Sequence, residues 1–591
     1  MFPGDGDLLV RIGSKRPPHR MLGAGGLALL LLAGVPIVLA QDEADGTVRL
    51  SSELRVRIAA GRDVELEVRT AERDSYETLA ARVCGGREVA PALAAWNNDD
   101  RPAVDGWTRV PLTLLSKEMR RLVLTDLFPD DRLDDGDWVH HAKSGRGRFY
   151  DQGMWEVALW FTGRGDLFAE LMAANDMDGP DLVSGQTVRI PARFLHPAFA
   201  RLERSDDGAL VYDFDAQAPF AGYDLKAGEA LYSSVVLRFT GQTKAEDVQA
   251  TAERLRRRNG IRDISDIPVG FRIKIPLELL EPQFLPAKHP RRLAAEESRR
   301  ELEAELVREP VRGTRGGLEG VLIILDPGHG GRDLGTNHNG IWEHDYVYDV
   351  ACRLKQMLET RTRAVVKLTL EDQQTGCKPS KTNALKKNFQ GTILTSPPYL
   401  VEHHSQTDMG VNLRWYLANS IYRRALKQNF RKDRVIYLSL HADARHRSLR
   451  GVMAYIPGAA YRSRTYGFSS SKYDKFKEVR EKRHVSFSKQ SRVRSEAVSN
   501  RLANAVIKAF VQEKLPVHPY QPVRNRIIRG RSKFVPAVLR GNAIPTKVLI
   551  ELVNLSNPKD AELLAAAKDR QRLARAVFHS LFLHFGETPA K

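Results

Sequence analysis

Cysteine is scarce in this chain: three in 591 residues, at Cys84, Cys352 and Cys377. A sparse, odd set cannot build a disulfide framework, which excludes a small scaffold stapled by many bridges. The three read as buried thiols; one bridge fits the count, and its partners stay open. Acidic residues are also short, 73 against 91 Lys and Arg, which leaves a net charge of +18. That surplus draws a protein to polyanions, and nucleic acid, an anionic lipid surface and an anionic wall polymer all fit. What is present in ordinary amount is hydrophobic content, 42%, which excludes a disordered chain. The length exceeds one ordinary core and fits two to five domains.

Long apolar runs are represented by Leu22–Leu39, preceded by Arg11, Lys15, Arg16 and Arg20 and closed by Ala40. A basic region, an apolar region and a small boundary residue predict a signal peptide over residues 1–40, cut after Ala40. The competing reading is an uncleaved membrane anchor, because the run nears the length needed to span a bilayer. Its glycines and Pro36 weaken that helix. Both readings export residues 41–591. Export combined with basic charge disfavours nucleic acid and favours a polymer of the cell envelope, with the periplasm or envelope as location.

Residues 41–66 alternate like strands around Leu50–Val56 and Val64–Val68, with no functional signal. A degenerate repeat follows. Three segments end alike: Gly106-Trp-Thr-Arg-Val-Pro111, Gly185-Gln-Thr-Val-Arg-Ile-Pro191 and Gly270-Phe-Arg-Ile-Lys-Ile-Pro276. An Asn stands ahead of each (Asn97, Asn175, Asn259), and two helical stretches stand ahead of each Asn. Each unit predicts a small βααβ module over 67–115, 136–195 and 221–280. Gly supplies the turn, Asn a left-handed position and Pro the stop. The pattern resembles the lysin motif, LysM, best in the third copy, where Leu225-Lys-Ala-Gly-Glu-Ala-Leu231 approaches the family's opening. The resemblance implies binding of N-acetylglucosamine-containing glycan. The competing reading is three small α+β spacers.

Residues 281–318 read as a linker: prolines at 282, 286 and 290, a charged helix over Arg291–Arg308, then glycines at 313, 316 and 317. A solvated spacer is expected there, with a regulatory helix as the sharper alternative. Beyond it, residues 319–586 alternate strand and helix, which predicts an α/β fold, a twisted mixed sheet flanked by helices. Strands are expected at Val321–Leu325, Val365–Leu370, Val435–Leu440, Val452–Ile456, Ala537–Leu539 and Lys547–Leu552. Helices are expected at Asp345–Glu359, Val411–Leu426, Ser495–Gln512 and Asp560–Phe585. Two insertions interrupt the pattern. Residues 373–408 have little periodicity, and residues 461–494 hold eleven Lys or Arg against three Asp or Glu. A run that basic reads as solvated or mobile, or as a contact for an anionic polymer or a partner.

Strand ends in this last segment carry metal-ligand types. His329 follows the first strand in Asp326-Pro-Gly-His-Gly-Gly331, and His441 stands in Ser439-Leu-His-Ala-Asp-Ala444. Glu343 sits just ahead of the first helix. Two histidines and a carboxylate with an open fourth position make a catalytic zinc set, whereas a closed structural site would want a fourth protein ligand. Glu551 lies inside the apolar strand Val-Leu-Ile-Glu-Leu-Val, a costly place for a carboxylate without a job. Beside an activated water that job is general base. His338 and His344 flank Glu343 as competing ligands, but Asn339-Gly340 breaks any helix that would join all three.

Taken together, Asp326-Pro-Gly-His-Gly-Gly331, Glu343, Ser439-Leu-His-Ala-Asp443 and Glu551 with Leu555-Ser-Asn-Pro558 resemble the zinc-dependent N-acetylmuramoyl-L-alanine amidases of the Amidase_3 family. The resemblance covers about residues 320–585. It implies His329, Glu343 and His441 as ligands of Zn2+ and Glu551 as the catalytic carboxylate. The family's Arg-x-x-x-Ala-Asn helix matches Arg414-Trp-Tyr-Leu-Ala-Asn419. Departures occur at Asp333-Leu-Gly-Thr336, at Thr369-Leu370 and after Glu551, and they bear on substrate fit and regulation. The implied function is an exported peptidoglycan hydrolase that cuts the amide between N-acetylmuramic acid and L-alanine, in wall remodelling or cell separation. Implied partners are peptidoglycan at both site and modules, and a protein activator. Two other readings compete: an inactive glycan-binding scaffold, and a zinc hydrolase of another exported amide.

Overall fold

The structure, a computed structural model, describes residues 47–59, 62–146, 149, 151–199, 202–215, 218–308 and 317–587. The expected signal peptide over 1–40 lies outside them. No described helix is long and apolar enough to cross a membrane. The chain divides into two compact units, residues 1–116 with 123–194, and residues 117–122 with 195–591.

The first unit holds two small antiparallel sheets. Thr47–Arg49, Leu54–Ala59, Asp63–Arg69 and Trp107–Pro111 form one, so the stretch around 47–59 adds strands to the first repeat's sheet. Arg132–Asp134, Asp137–His141 and Thr187–Ile190 form the other. The second unit opens with the third repeat, a sheet ordered Arg272–Pro276, Pro219–Asp224, Val211–Phe214. All three repeats place two helices between the last two strands of the βααβ unit.

The repeated asparagine has a different task from the one expected. The left-handed residue is the next one, Asn98, Asp176 or Gly260, with φ of 51°, 51° and 61°. Asn97, Asn175 and Asn259 instead clamp a helix end to the closing strand. Asn175 Nδ2 donates to the Leu171 and Arg189 carbonyls at 2.8 Å each, and its Oδ1 accepts from Arg189 N at 2.8 Å. Asn97 does the same with Leu93 and Arg109, and Asn259 with Leu255 and Lys274. A side-chain amide with a donor and an acceptor satisfies both backbone groups of one strand residue at once.

The C-terminal α/β sheet comprises β1 (Leu322–Pro327), β2 (Val365–Leu368), β3 (Val435–Asp443), β4 (Met453–Tyr455), β5 (Val523–Arg524) and β6 (Thr546–Asn554). Its order is β2-β1-β3-β6-β4-β5. The β2-β1-β3-β6 pairs are parallel, and β4 runs antiparallel to β6, which makes the sheet mixed. α1 (Glu343–Arg361), α3 (Lys489–Gln512) and α4 (Ala567–Phe585) pack Val347, Leu354, Val506 and Leu581 on one face. α2 (Thr407–Lys427) covers the other with Ala418 and Tyr422. Near-continuous apolar runs such as Leu322–Leu325 follow from burial on both faces.

Four expectations are corrected. Ala537–Leu539 is not a strand but the start of the helix Ala537–Arg540. A three-residue apolar run has no period to separate the two states, and Pro536 at the N-cap favours helix. The basic insertion 461–494 is folded rather than loose. It forms a hairpin of Thr465–Gly467 with His484–Ser486, and Tyr473, Phe476 and Val479 are buried with Trp415 and Tyr416. Most of its cations lie at the surface between those apolar anchors, while Arg462 is buried against Phe487 and donates to the Arg540 carbonyl, so charge density alone misreads it. The linker helix, Pro290–Arg308, is no free spacer: Lys489 Nζ meets Glu301 at 2.8 Å, and Arg501 donates to the Leu306 carbonyl. Finally, Cys352 and Cys377 are disulfide-bonded, which ties α1 to the first insertion, and only Cys84 is a free thiol. That insertion adds strands Gly391–Ile393 and Tyr399–Leu400 to a small sheet begun by Leu370–Asp372.

The third repeat is built into this unit. Leu449, in the loop that follows β3, is 2% exposed and belongs to the repeat's own core with Leu231, Val235 and Phe239. His446 N donates to the Thr243 carbonyl at 2.8 Å, and the Tyr232 and His446 rings stack at 5.8 Å. Arg524 Nη1 donates to the Gly241 carbonyl at 2.7 Å.

Candidate active site

The site assembles at the carboxyl ends of the parallel strands, where open α/β sheets hold ligands. β1 ends in Asp326-Pro327 and releases the turn that carries His329. That turn is held from beneath by Asp326, which is completely buried. Arg414 of α2 donates to Asp326 Oδ1 at 2.6 Å, to the Pro327 carbonyl at 2.6 Å and to the His329 carbonyl. Tyr437 and Ser439 of β3 donate to Oδ2 at 2.7 Å each, and Thr369 donates to Oδ1. Burial pushes this carboxyl up, but the Arg414 charge and the three hydroxyl bonds outweigh it and hold it below its ordinary value. One buried carboxylate therefore ties together β1, β3, α2 and the residue after β2.

His329 itself takes φ 62°, a left-handed conformation that costs a non-glycine residue energy and is commonest at functional sites. Its Nδ1 lies 2.9 Å from Asp333 Oδ1, which orients the ring. Its Nε2 lies 3.1 Å from Glu343 Oε1. Glu343 is the first residue of α1, not a residue ahead of it. Its Oε2 accepts from Thr336 N at 2.9 Å and its Oε1 from Ala442 N at 3.0 Å. His441 Nδ1 approaches the same Oε1 at 3.0 Å. Gly328 is required here, because a Cβ at that position would run into the His441 ring.

His329, Glu343 and His441 thus offer ligand atoms that all lie within 4.8 Å of one another, among the described residues the one such group. The donor set fits a metal ion. Two imidazole nitrogens and a carboxylate converge, and Asp333 and backbone amides fix them from behind, as metal ligands require. Burial raises the Glu343 carboxyl, yet the His329 charge and the two imidazole bonds hold it well below the carboxylate range. His338 and His344 stand apart from the group. His338 sits in the two-residue strand Asn337–His338, and the buried His344 faces the Gly328 carbonyl at 3.5 Å.

Glu551 lies on β6 directly opposite His441 of β3. It is 8% exposed, and its Oε2 makes no hydrogen bond. Burial, followed by the Asp443 and Glu343 charges, pushes its carboxyl well above the ordinary range, against the pull of Arg445. A carboxylate held short of donors beside three convergent ligands can take and return a proton.

Sequence reasoning missed the buried hub. Asp326 reads only as the end of an apolar run and Arg414 as part of a helix motif. Their pairing over 88 positions leaves no local trace. Asp333 was legible only as a departure in the residues after the turn.

Residues 323–582 match the family described as N-acetylmuramoyl-L-alanine amidase, Amidase_3, and residues 165–191 match the LysM domain. The LysM match falls in the second repeat, whereas the sequence pattern ranks the third highest. An endolysin of Bacillus phage SPP1 is 46% identical over 48 residues, 8% of this chain, which spans only 18% of that relative's length. Among solved structures, the chain is similar to the amidase Ami1 of Mycobacterium smegmatis, with 16% identity, 46% of this chain and 99% of that one covered, and a TM-score of 0.28. It is also similar to the CwlD amidase of Clostridioides difficile, with 18% identity, 45% and 98% covered, and a TM-score of 0.26. Residues 323–582 thus match the Amidase_3 family, and residues 165–191, upstream of them, match the LysM domain.

Proposed function

We propose that the protein is an exported, zinc-dependent N-acetylmuramoyl-L-alanine amidase that trims peptidoglycan in wall remodelling or cell separation. The observation that carries this reading is the convergence of His329, Glu343 and His441 with Glu551 facing His441 across one strand pair. In this reading the first three hold Zn2+. When bound, the ion supplies Lewis-acid chemistry, polarising the scissile carbonyl and making water easier to deprotonate.

The chain's own residues do the rest. Glu551 takes a proton from the attacking water as its oxygen adds to the lactyl carbonyl carbon. It delivers that proton to the nitrogen of L-alanine as the C–N bond breaks. Asp333 keeps the His329 ring turned inward. The Asp326–Arg414 pair keeps the turn from shifting. The LysM modules hold glycan, and the excess of cations suits an anionic wall. Location in the periplasm or envelope follows from the substrate, and a protein activator remains a proposed partner.

The test is digestion of purified peptidoglycan by the full chain with and without chelator. Expected products are stem peptides with a free L-alanine amine, absent with chelator and absent for Glu551→Ala. Cut glycan strands, or folded protein without zinc on metal analysis, would overturn the assignment.

A further inference from the structure

β3 and β6 run in simple register up to His441 and Glu551, and there the register breaks. The next pair is Asp443 with Asn554, so β6 places Leu552 and Val553 where β3 has only Ala442. This is a β-bulge, a device that bends a strand and re-aims the side chains beside it. It lies directly beyond the ligand and the carboxylate that face each other across the two strands. Ala442, opposite the bulge, donates its N–H to Glu343 Oε1 at 3.0 Å, so the bulge also meets a second ligand. Whatever holds the bulge closed therefore fixes where these side chains point.

Asn554 holds it. The residue is 4% exposed, and its amide is bonded on both sides. Oδ1 accepts from Arg445 N at 2.9 Å and from Ser556 N at 3.2 Å. Nδ2 donates to the His446 carbonyl at 3.1 Å and the Leu449 carbonyl at 2.9 Å. An amide with two donors and an acceptor oxygen is the side chain suited to this task. Asp560, completely buried, accepts from Asn554 N at 3.0 Å and from Gly451 N at 2.6 Å, which closes the far end of the same loop. Asn554 stands in the stretch after Glu551 that departs from the family's pattern, so the family motif does not account for this clamp.

The clamped loop also seats the third repeat. The two residues whose carbonyls Asn554 holds, His446 and Leu449, are the two that meet the repeat. His446 N donates to the Thr243 carbonyl, its ring stacks on Tyr232, and Leu449 enters the repeat's core. Asp247 of the repeat accepts from Gly530 N at 3.0 Å, which fixes a further point.

We propose that Asn554 is a positioning residue and the third repeat a brace: through the loop after β3, the repeat steadies the bulge that aims His441 and Glu551. The inference rests on the amidase reading above for the roles of those two residues. The repeat is then part of the catalytic apparatus, and loosening it changes turnover and metal affinity, not only attachment to polymer.

The test uses the full chain and two readouts. One is kcat and KM on soluble muropeptides, which takes attachment to polymer out of the rate. The other is Zn2+ affinity, by competition with a chromophoric chelator. Asn554→Leu removes all four amide bonds without adding a charge. It should lower kcat and Zn2+ affinity by about 10–100-fold each, the scale for groups that orient metal ligands, with KM unchanged. Tyr232→Ala, which acts from the repeat, should move both in the same direction, and Tyr232→Phe, which keeps the stacked ring, should restore them. The double variant Asn554→Leu with Tyr232→Ala should show less than the product of the two effects, because both act through one loop. A lowered melting temperature with kcat and Zn2+ affinity at the parent's values is what a purely structural Asn554 gives, and it overturns the proposal. No effect of Tyr232→Ala, or full additivity, overturns the brace. If Asn554→Leu does not fold, Tyr232→Ala against Tyr232→Phe decides. Where the parent turns over no muropeptide, Zn2+ affinities alone decide the brace; if it cleaves no peptidoglycan either, the amidase reading fails separately.

Discussion

His441 on β3 and Glu551 on β6 are direct partners in the register of two parallel strands. In the proposed mechanism a ligand and a proton carrier thus come from neighbouring strands, and their separation is set by sheet hydrogen bonding rather than by a loop. Replacing Glu551 by Gln keeps the shape and removes the proposed base. Turnover of peptidoglycan should fall by ~10²–10⁴-fold. Zinc content by metal analysis and the melting temperature should stay at the parent's values; a variant that retains activity would remove Glu551 from the mechanism.

The Asp326–Arg414 pair is the mechanical support of the His329 turn. Breaking a buried ion pair from one side costs about 3–5 kcal/mol, because a charge is left uncompensated. Asp326→Asn and Arg414→Met should each lose stability on that scale in urea titrations. Combined, they should lose less than the sum, which a double-mutant cycle measures. Strict additivity would show that the two side chains do not act together.

The disulfide between Cys352 and Cys377 closes a short loop. Its removal by Cys352→Ser with Cys377→Ser should lower the unfolding free energy by about 3 kcal/mol. Reductant should shift the parent's melting temperature and leave the double variant's unchanged.

His518 and His584 are buried, each with one ring nitrogen lacking a partner. Burial, aided by neighbouring arginines, pushes both imidazoles down to about 3. Both folded-state values lie below the unfolded value of about 6.5, so between about pH 6.5 and 3 the unfolded chain binds more protons. Stability is full above pH 6.5 and falls as pH drops, by up to ~1.4 kcal/mol per pH unit for each histidine. Melting temperatures at pH 7.5 and pH 5 measure this. His584→Leu should flatten the acid limb, and an unchanged slope would show that the residue does not contribute.

Leu449 joins the loop after β3 to the core of the third repeat. Leu449→Ala should cost about 2–4 kcal/mol, as for other buried leucines. Amide exchange should speed up both in the repeat's strand Pro219–Asp224 and in the loop around His446. Acceleration confined to the loop would show that the repeat does not depend on this contact.

Much of the C-terminal fold is legible because period and punctuation agree. Buried strands such as Val435–Leu440 read as apolar runs, and ligand types stand where those runs stop. His329, Glu343, His441 and Glu551 each carry a local signal: a turn, a helix start, a strand end, a charge in an apolar strand. What stays hidden has no local signal. Asp326 and Arg414 are ordinary residues until the chain folds, and Cys352 and Cys377 stand 25 residues apart with nothing between them to favour a bridge. The repeat's asparagines show a further limit. Their spacing is plain, but whether Asn175 bends the backbone or clamps it depends on the strand it meets. In the basic insertion, composition outweighs pattern: its eleven cations obscure Tyr473, Phe476 and Val479.

Leu449 also sets an order of events. The third repeat ends its last strand at Pro276, yet the residue that completes its interior is made roughly 170 positions later. A chain emerges and folds from its N-terminus, usually one domain at a time. This repeat keeps an open flank until the loop bearing Leu449 has been made. Its closure comes only when most of the polypeptide has been delivered, while β6 with Glu551 has still to follow.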